Sequence, residues 1–215
     1  MENIKGIIFD LDGVLVFTDK FHYQAWKALA DRIGAGFTEK DNDRLRGVSR
    51  MESLEIILEK YSGPAFSAEE KLALAEEKND LYRKLLSQMS PEDVTEDVRR
   101  TLLALRERGY RLAVGSSSKN AGYILERTGL TGSFDAVSDG TNITNSKPDP
   151  EVFLKAAEFL NLAPEDCLVV EDAHAGIQAA KAGGMTAAAI GAAVTSPMAD
   201  VRLDSISQLL GRLST

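Results

Sequence analysis

Asp10 and Asp12 stand two residues apart at the end of the apolar run Gly6-Ile7-Ile8-Phe9, and Gly13 follows them. On an extended chain residues two apart share a face, and Gly13 lets the backbone turn away tightly, so two carboxylates converge on one spot. Such a pair repels itself unless a cation joins it. An isolated Asp-x-Asp-Gly reads more simply as an Asx-type turn with solvated side chains. A second acid pair, Glu171-Asp172, follows Cys167-Leu168-Val169-Val170 directly; alone, it reads as a helix cap before Ala173. Together Asp10, Asp12, Glu171 and Asp172 form an all-oxygen set suited to Mg²⁺, which keeps waters that a phosphate can replace.

Ser116-Ser117-Ser118-Lys119-Asn120 follows the apolar stretch 111–115 and opens a helical pattern, where hydroxyls and backbone N–H groups stabilise an anion. Serines that merely cap a helix are the simpler reading of that stretch by itself. Lys147, in Ser146-Lys147-Pro148-Asp149-Pro150, is constrained by its prolines and would bring a cation to the same sheet edge. Taken singly, it reads as a solvated lysine. Taken together, a carboxylate nucleophile, a hydroxyl, a lysine and an acid pair recur at four successive strand ends, and these are the parts needed to move a phosphoryl group.

The elements that must hold them follow from periodicity. Residues 6–9 read as a buried strand opening into a polar loop. Residues 19–87 are helical throughout: Phe21, Ala25, Trp26, Leu29 and Ile33 recur at helical spacing, as do Leu54, Ile57 and Leu58. Beyond Pro91 the pattern alternates, with helices over 98–108, 120–128, 151–160 and 173–182 and strands over 111–115, 134–137, 167–170 and 186–190. Strands alternating with helices of that length imply a parallel sheet covered by helices, hence an α/β core with an all-helical insert. Asp149 is expected as an N-cap with Pro150 in the first turn, and Gly183-Gly184 as a helix stop. Ligands of such sheets gather at the carboxyl ends of the strands, where every motif above is expected.

With 215 residues the chain can bury a core and carry a smaller insert. A formal charge of -8 with no Lys/Arg-rich run disfavours nucleic acid, and it obliges any phosphate site to gather its own local cations. Met1-Glu2-Asn3-Ile4-Lys5 lacks the basic start of a signal peptide, and no segment approaches transmembrane length, so no membrane partner is expected. The lone Cys167 sits in an apolar run as a small hydrophobe, and a reducing cytoplasm is the simplest setting. The lack of a long apolar surface stripe favours a monomer.

Through Phe9-Asp10-Leu11-Asp12-Gly13, Ser116, Lys147 and Glu171-Asp172 the chain resembles the haloacid dehalogenase superfamily over essentially its whole length. The resemblance implies a Rossmann-like parallel-sheet core, residues 1–15 and 93–215, with a small all-helical cap domain, residues 16–92, inserted after the first strand. It implies that Asp10 attacks phosphorus to give an aspartyl phosphate, that Asp12 is general acid and base, and that Ser116 and Lys147 assist. It also implies Mg²⁺ held by Asp10, the Asp12 backbone carbonyl, Glu171 and Asp172.

Within the insert, Leu45-Arg46-Gly47-Val48-Ser49-Arg50 with Glu52-Ser53, Phe21-His22-Tyr23-Gln24-Ala25-Trp26 and Lys78-Asn79-Asp80 are similar to the β-phosphoglucomutase branch, as is Ser118-Lys119-Asn120 in the core. That likeness implies sugar-phosphate substrates, β-D-glucose 1-phosphate and D-glucose 6-phosphate, bound by Asp12, Gly47, Val48, Ser49, Arg50, Ser118, Lys119 and Asn120. A mutase needs a second phosphate site, for which Arg50 offers a bidentate fork, Lys119 a point charge, and Ser118 and Asn120 hydrogen bonds. A Mg²⁺-dependent sugar-phosphate phosphatase of the same superfamily would share Asp10, Asp12 and the metal without that matched clamp. His22 either packs against a neighbouring helix or relays closure of the cap to Asp12. Phe17 stands where the branch usually carries an acid, and Asp139-Gly140-Thr141-Asn142 also departs from its pattern.

Overall fold

Six parallel strands form one sheet in the computed structural model, which describes residues 3–213. They are β1 (Gly6–Phe9), β2 (Arg111–Gly115), β3 (Ala136–Ser138), β4 (Cys167–Glu171), β5 (Thr186–Ala189) and β6 (Val201–Arg202), in the spatial order β3-β2-β1-β4-β5-β6. Both faces are covered. Ile7 and Phe9 pack on one side with Leu112, Val114, Leu168 and Val170, while Ile8 packs on the other with Ala113, Val169 and Ala187. This two-sided burial is why the strands read as continuous apolar runs rather than alternating ones. The strand order turns about β1 and β4, so a crevice opens beyond their carboxyl ends, the place where doubly wound sheets take ligands.

Helices α1 (Asp19–Ile33), α2 (Glu39–Asp43), α3 (Arg50–Leu58) and α4 (Ala68–Leu86) lie between β1 and α5 (Glu96–Glu107) in the chain. Ser49 and Ser67 start α3 and α4 with reciprocal capping boxes to Glu52 and Glu70. These helices bury their own apolar cluster around Trp26, Phe37, Leu54, Ile57 and Leu74. Two of them are also rooted in the main core, through Phe21 and Ala25 of α1 and Tyr82 and Leu86 of α4. Truncating Trp26, 2% exposed, to alanine would cost about 3–5 kcal/mol.

The helices α6 (Ala121–Thr128), α7 (Glu151–Phe159) and α8 (His174–Ala182) follow the expected alternation with small shifts, and a short α9 (Leu209–Arg212) is added to it. Thr95 caps α5, so that helix begins two residues before the expected 98. The strand expected over 134–137 is Ala136–Ser138, because Phe134 turns edge-on to Phe9 and Asp135 hydrogen-bonds the Leu112 N–H. Pro150, not Asp149, occupies the N-cap of α7; the Asp149 carboxylate still accepts from the Glu151 N–H at 2.9 Å. β6 and α9 carry too few residues for their periodicity to show in sequence.

Candidate active site

Asp10 leaves β1 with its N–H still bonded to Val170 of β4 (2.9 Å), so its side chain starts at the switch point. Glu171 ends β4 beside it. One Glu171 oxygen accepts from the N–H groups of Asp172 (3.1 Å) and Ala173 (2.9 Å), and the other takes the Lys147 ammonium at 2.8 Å. Lys147 also donates to Asp10 and is 1% exposed. It reaches in from the loop between β3 and α7, which brings the cation to the sheet edge as expected. Two glycines make the close packing possible. Gly13, at φ +85°, faces the Asp172 carboxylate, and Gly176 of α8 faces Glu171, each where a Cβ would collide.

Ligand oxygens of Asp10, Glu171 and Asp172 lie within 4.8 Å of one another, a grouping able to hold a metal ion. Three carboxylates against the single Lys147 ammonium leave excess negative charge in a buried place. Burial pushes the Asp10 carboxyl well above the usual range and Glu171 adds to this, with Lys147 offsetting part. Asp172 is pushed up to about 7, by burial and then by Glu171. Burial lowers Lys147, but its two carboxylate partners outweigh that and hold it above the ordinary lysine value. Hard oxygen donors with surplus negative charge fit a divalent cation such as Mg²⁺.

Asp12 does not share a strand face with Asp10, since β1 ends at Phe9 and both acids lie in the loop beyond. Its carboxylate is held by Thr18, from the backbone N–H (3.2 Å) and from the hydroxyl. The Thr18 hydroxyl also meets the Tyr82 hydroxyl of α4 at 3.0 Å, so Thr18 starts α1 without capping it through its side chain. His22 Nε2 lies 3.9 Å from the other Asp12 oxygen, and its Nδ1 is 3.0 Å from Lys78. When Lys78 donates, Nδ1 accepts and Nε2 carries the proton facing Asp12. Burial, with Lys78 and Arg50 nearby, holds His22 well below its ordinary pKa and hence neutral. Burial also raises Asp12 against its Thr18 hydrogen bonds, which favours a carboxyl that can hold a proton.

A cavity of about 650 Å³ lies between the acid centre and the helical insert. Asp10, Asp12, Ser116, Lys147, Glu171 and Asp172 line its floor, and Gly47, Val48, Ser49 and Arg50 come from the insert. Ser118, Lys119 and Asn120 complete the wall, so the candidate catalytic, metal-ligating and substrate-binding residues meet at one space. Arg50 is ion-paired with Glu76 of α4 at 2.8 Å. The Ser116 hydroxyl accepts from the Ser118 N–H (3.2 Å) and keeps its own proton to donate. Phe17 lines the rim and is 60% exposed.

The family model for haloacid dehalogenase-like hydrolases matches residues 4–184. The chain belongs to the haloacid dehalogenase-like hydrolase family. Among its relatives, a β-phosphoglucomutase of Bacillus subtilis is 42% identical, the match covering 87% of this chain and 84% of that protein. A phosphorylated carbohydrates phosphatase of Thermotoga maritima is 32% identical, covering 85% and 82%. The crystal structure of a β-phosphoglucomutase from Clostridium difficile superposes with a TM-score of 0.89 at 39% identity, covering 96% of this chain and 93% of that one.

Sequence reasoning missed the partners that hold the family's residues in place. Thr18, six residues along the chain, restrains Asp12 and is itself met by Tyr82, and Glu76 occupies Arg50; none belongs to a recognisable motif, and Tyr82 and Glu76 are distant in the chain from what they touch. The departing segment Asp139-Gly140-Thr141-Asn142 now has a structural account. The Asp139 carboxylate accepts from the Thr141 N–H and hydroxyl, and Asn142 accepts from Ser138 and the Asp139 N–H, so it closes as a self-bonded turn. Among the described residues no helix is long and apolar enough to cross a membrane.

Proposed function

We propose that this chain is a Mg²⁺-dependent β-phosphoglucomutase that interconverts β-D-glucose 1-phosphate and D-glucose 6-phosphate through β-D-glucose 1,6-bisphosphate. The observation that carries this reading is the pairing of a buried acid–lysine centre with an arginine-bearing insert loop and Ser118-Lys119-Asn120 around one cavity. Two phosphates on one sugar need two such anion sites. The likeness to β-phosphoglucomutases at 42% and 39% identity supports it.

In this reading phospho-Asp10 gives its phosphoryl group to a sugar hydroxyl. The sugar oxygen bonds to phosphorus, the Asp10 oxygen leaves, and Asp12 takes the hydroxyl proton. The bisphosphate then reverses end for end. Asp10 attacks the other phosphorus, and Asp12 returns its proton to the departing sugar oxygen. Lys147 keeps Asp10 aimed and offsets charge, Ser116 donates to a transferring oxygen, and His22 links Asp12 to the position of the insert. Asp10, Glu171, Asp172 and the Asp12 carbonyl would hold Mg²⁺, which when bound neutralises charge between the nucleophile and the phosphate.

Residues 16–92 act as a cap on a core of 1–15 and 93–215, a division supported by the separate apolar cluster around Trp26. The cap excludes water from phospho-Asp10. We read the protein as a cytoplasmic monomer acting on small sugar phosphates, independent of nucleic acid and membrane. A sugar-phosphate phosphatase is the second reading, favoured by the 32% identical Thermotoga relative. Assaying glucose 6-phosphate and inorganic phosphate in parallel from β-D-glucose 1-phosphate separates the two: the mutase forms the first in excess, the phosphatase releases the second.

A further inference from the structure

Asn120 stands at the N-cap of α6, where an asparagine side chain ordinarily accepts from the helix's free N–H groups, yet it makes no such bond. Its amide is engaged across the cavity wall with α4. Arg83 Nη1 donates to Asn120 Oδ1 at 2.9 Å, and Asn120 Nδ2 donates to Asn79 Oδ1 at 3.0 Å. The Arg83 guanidinium also sits 4.5 Å from the ring centroid of Tyr123, one turn along α6. Asn79 and Asn120 line the cavity; Arg83 does not.

The direction of this relay is fixed by chemistry. A guanidinium donates and cannot accept, so the Asn120 atom facing it is the carbonyl oxygen, and its NH₂ faces Asn79. Asn79 must then offer its own carbonyl, which leaves its NH₂ without a hydrogen-bond partner among the described residues. Two amides that could otherwise flip are locked, with one Asn120 N–H spent on Asn79 and the Asn79 NH₂ left unclaimed on a cavity-lining surface. Phosphate oxygens accept and do not donate, and this polarity suits them.

We propose that Arg83 is a positioning residue for the second phosphate site: through Asn120 it sets the polarity of the Asn120–Asn79 amide pair, and Asn79 is a further substrate contact. This rests on the reading of Ser118-Lys119-Asn120 as that site. Because Arg83 and Asn79 ride on α4 of the insert while Asn120 belongs to the core, the site is complete in this arrangement of the two. Arg83 is itself exposed, so replacing it leaves the apolar core untouched.

The test compares Arg83→Met, Arg83→Lys and Asn79→Ala with the wild type, using β-D-glucose 1-phosphate with Mg²⁺ and a trace of the bisphosphate. Arg83→Met and Asn79→Ala are expected to raise KM about tenfold with kcat within about twofold, and Arg83→Lys, which keeps a donor-only cation, to recover most of the loss. Melting temperatures should match. An unchanged KM in Arg83→Met, or equal losses in the Met and Lys variants with lowered melting temperature, would overturn the proposal. A wild type that forms no glucose 6-phosphate would instead overturn the mutase reading. In that event NMR of the Asn79 and Asn120 side-chain NH₂ groups during titration with glucose 6-phosphate still decides: shifts in the wild type that vanish in Arg83→Met support the relay, and shifts kept in the variant refute it.

Discussion

Lys147 and Arg50 are both cations on the wall of one cavity, but the core and the insert hold them in opposite ways. Lys147 is 1% exposed and locked between Asp10 and Glu171, two acids of the proposed reacting centre. Arg50 is 21% exposed and paired with Glu76, which is 68% exposed and outside the proposed reacting centre. The core side is assembled before substrate arrives. The insert side is held by a carboxylate that, in the proposed reading, a phosphate replaces, since exposed ion pairs of this kind contribute little on their own. On the proposed reading, fixed chemistry and exchangeable recognition are thus divided between the sheet edge and the helices above it.

Breaking the fixed side should have the largest effect. Lys147→Met leaves Asp10 and Glu171 buried without their cation, and in the presence of a chelator it should cost about 3–5 kcal/mol of stability by denaturant unfolding. A loss under about 1 kcal/mol would mean that the centre is not locked. On the exchangeable side, Arg50→Ala should raise KM for the bisphosphate by about 10- to 100-fold with little change in melting temperature, measured by steady-state kinetics.

Lys78 sharpens the contrast, because it belongs to the insert yet is buried over Trp26 and Tyr82. Burial, with Arg50 nearby, pulls its pKa down to about 7. Between that value and the ordinary lysine range the unfolded chain binds a proton that the folded one does not, so stability rises with pH. Lys78→Met should therefore melt a few degrees above the wild type near about pH 6, the gap narrowing towards about pH 9. A gap that widened with pH would contradict the buried neutral amine. The smallest effect is expected for Glu76→Gln, which frees Arg50 and should lower KM by about two- to threefold.

The sheet was legible because buried parallel strands are short apolar runs, and Gly6–Phe9 and Arg111–Gly115 lie where the pattern placed them. Asp10, Glu171 and Asp172 were legible because acids directly after such runs have nowhere to go but the crevice. Lys147 was found by motif and lies at the expected sheet edge, carried inward by the loop beyond β3. Thr18 with Tyr82, Arg50 with Glu76, and Arg83 with Asn120 were not legible at all. Local periodicity tells which face of a helix is buried; it does not tell which polar side chain from another helix will meet it.

The central claim is tested most directly by phosphorus NMR of the protein with Mg²⁺, β-D-glucose 1-phosphate and a trace of β-D-glucose 1,6-bisphosphate, with Asp10→Asn as control. The account predicts conversion to glucose 6-phosphate with little inorganic phosphate, abolished in the control. Inorganic phosphate as the main product would contradict it, and would mean that the insert admits water to phospho-Asp10 instead of holding a second phosphate.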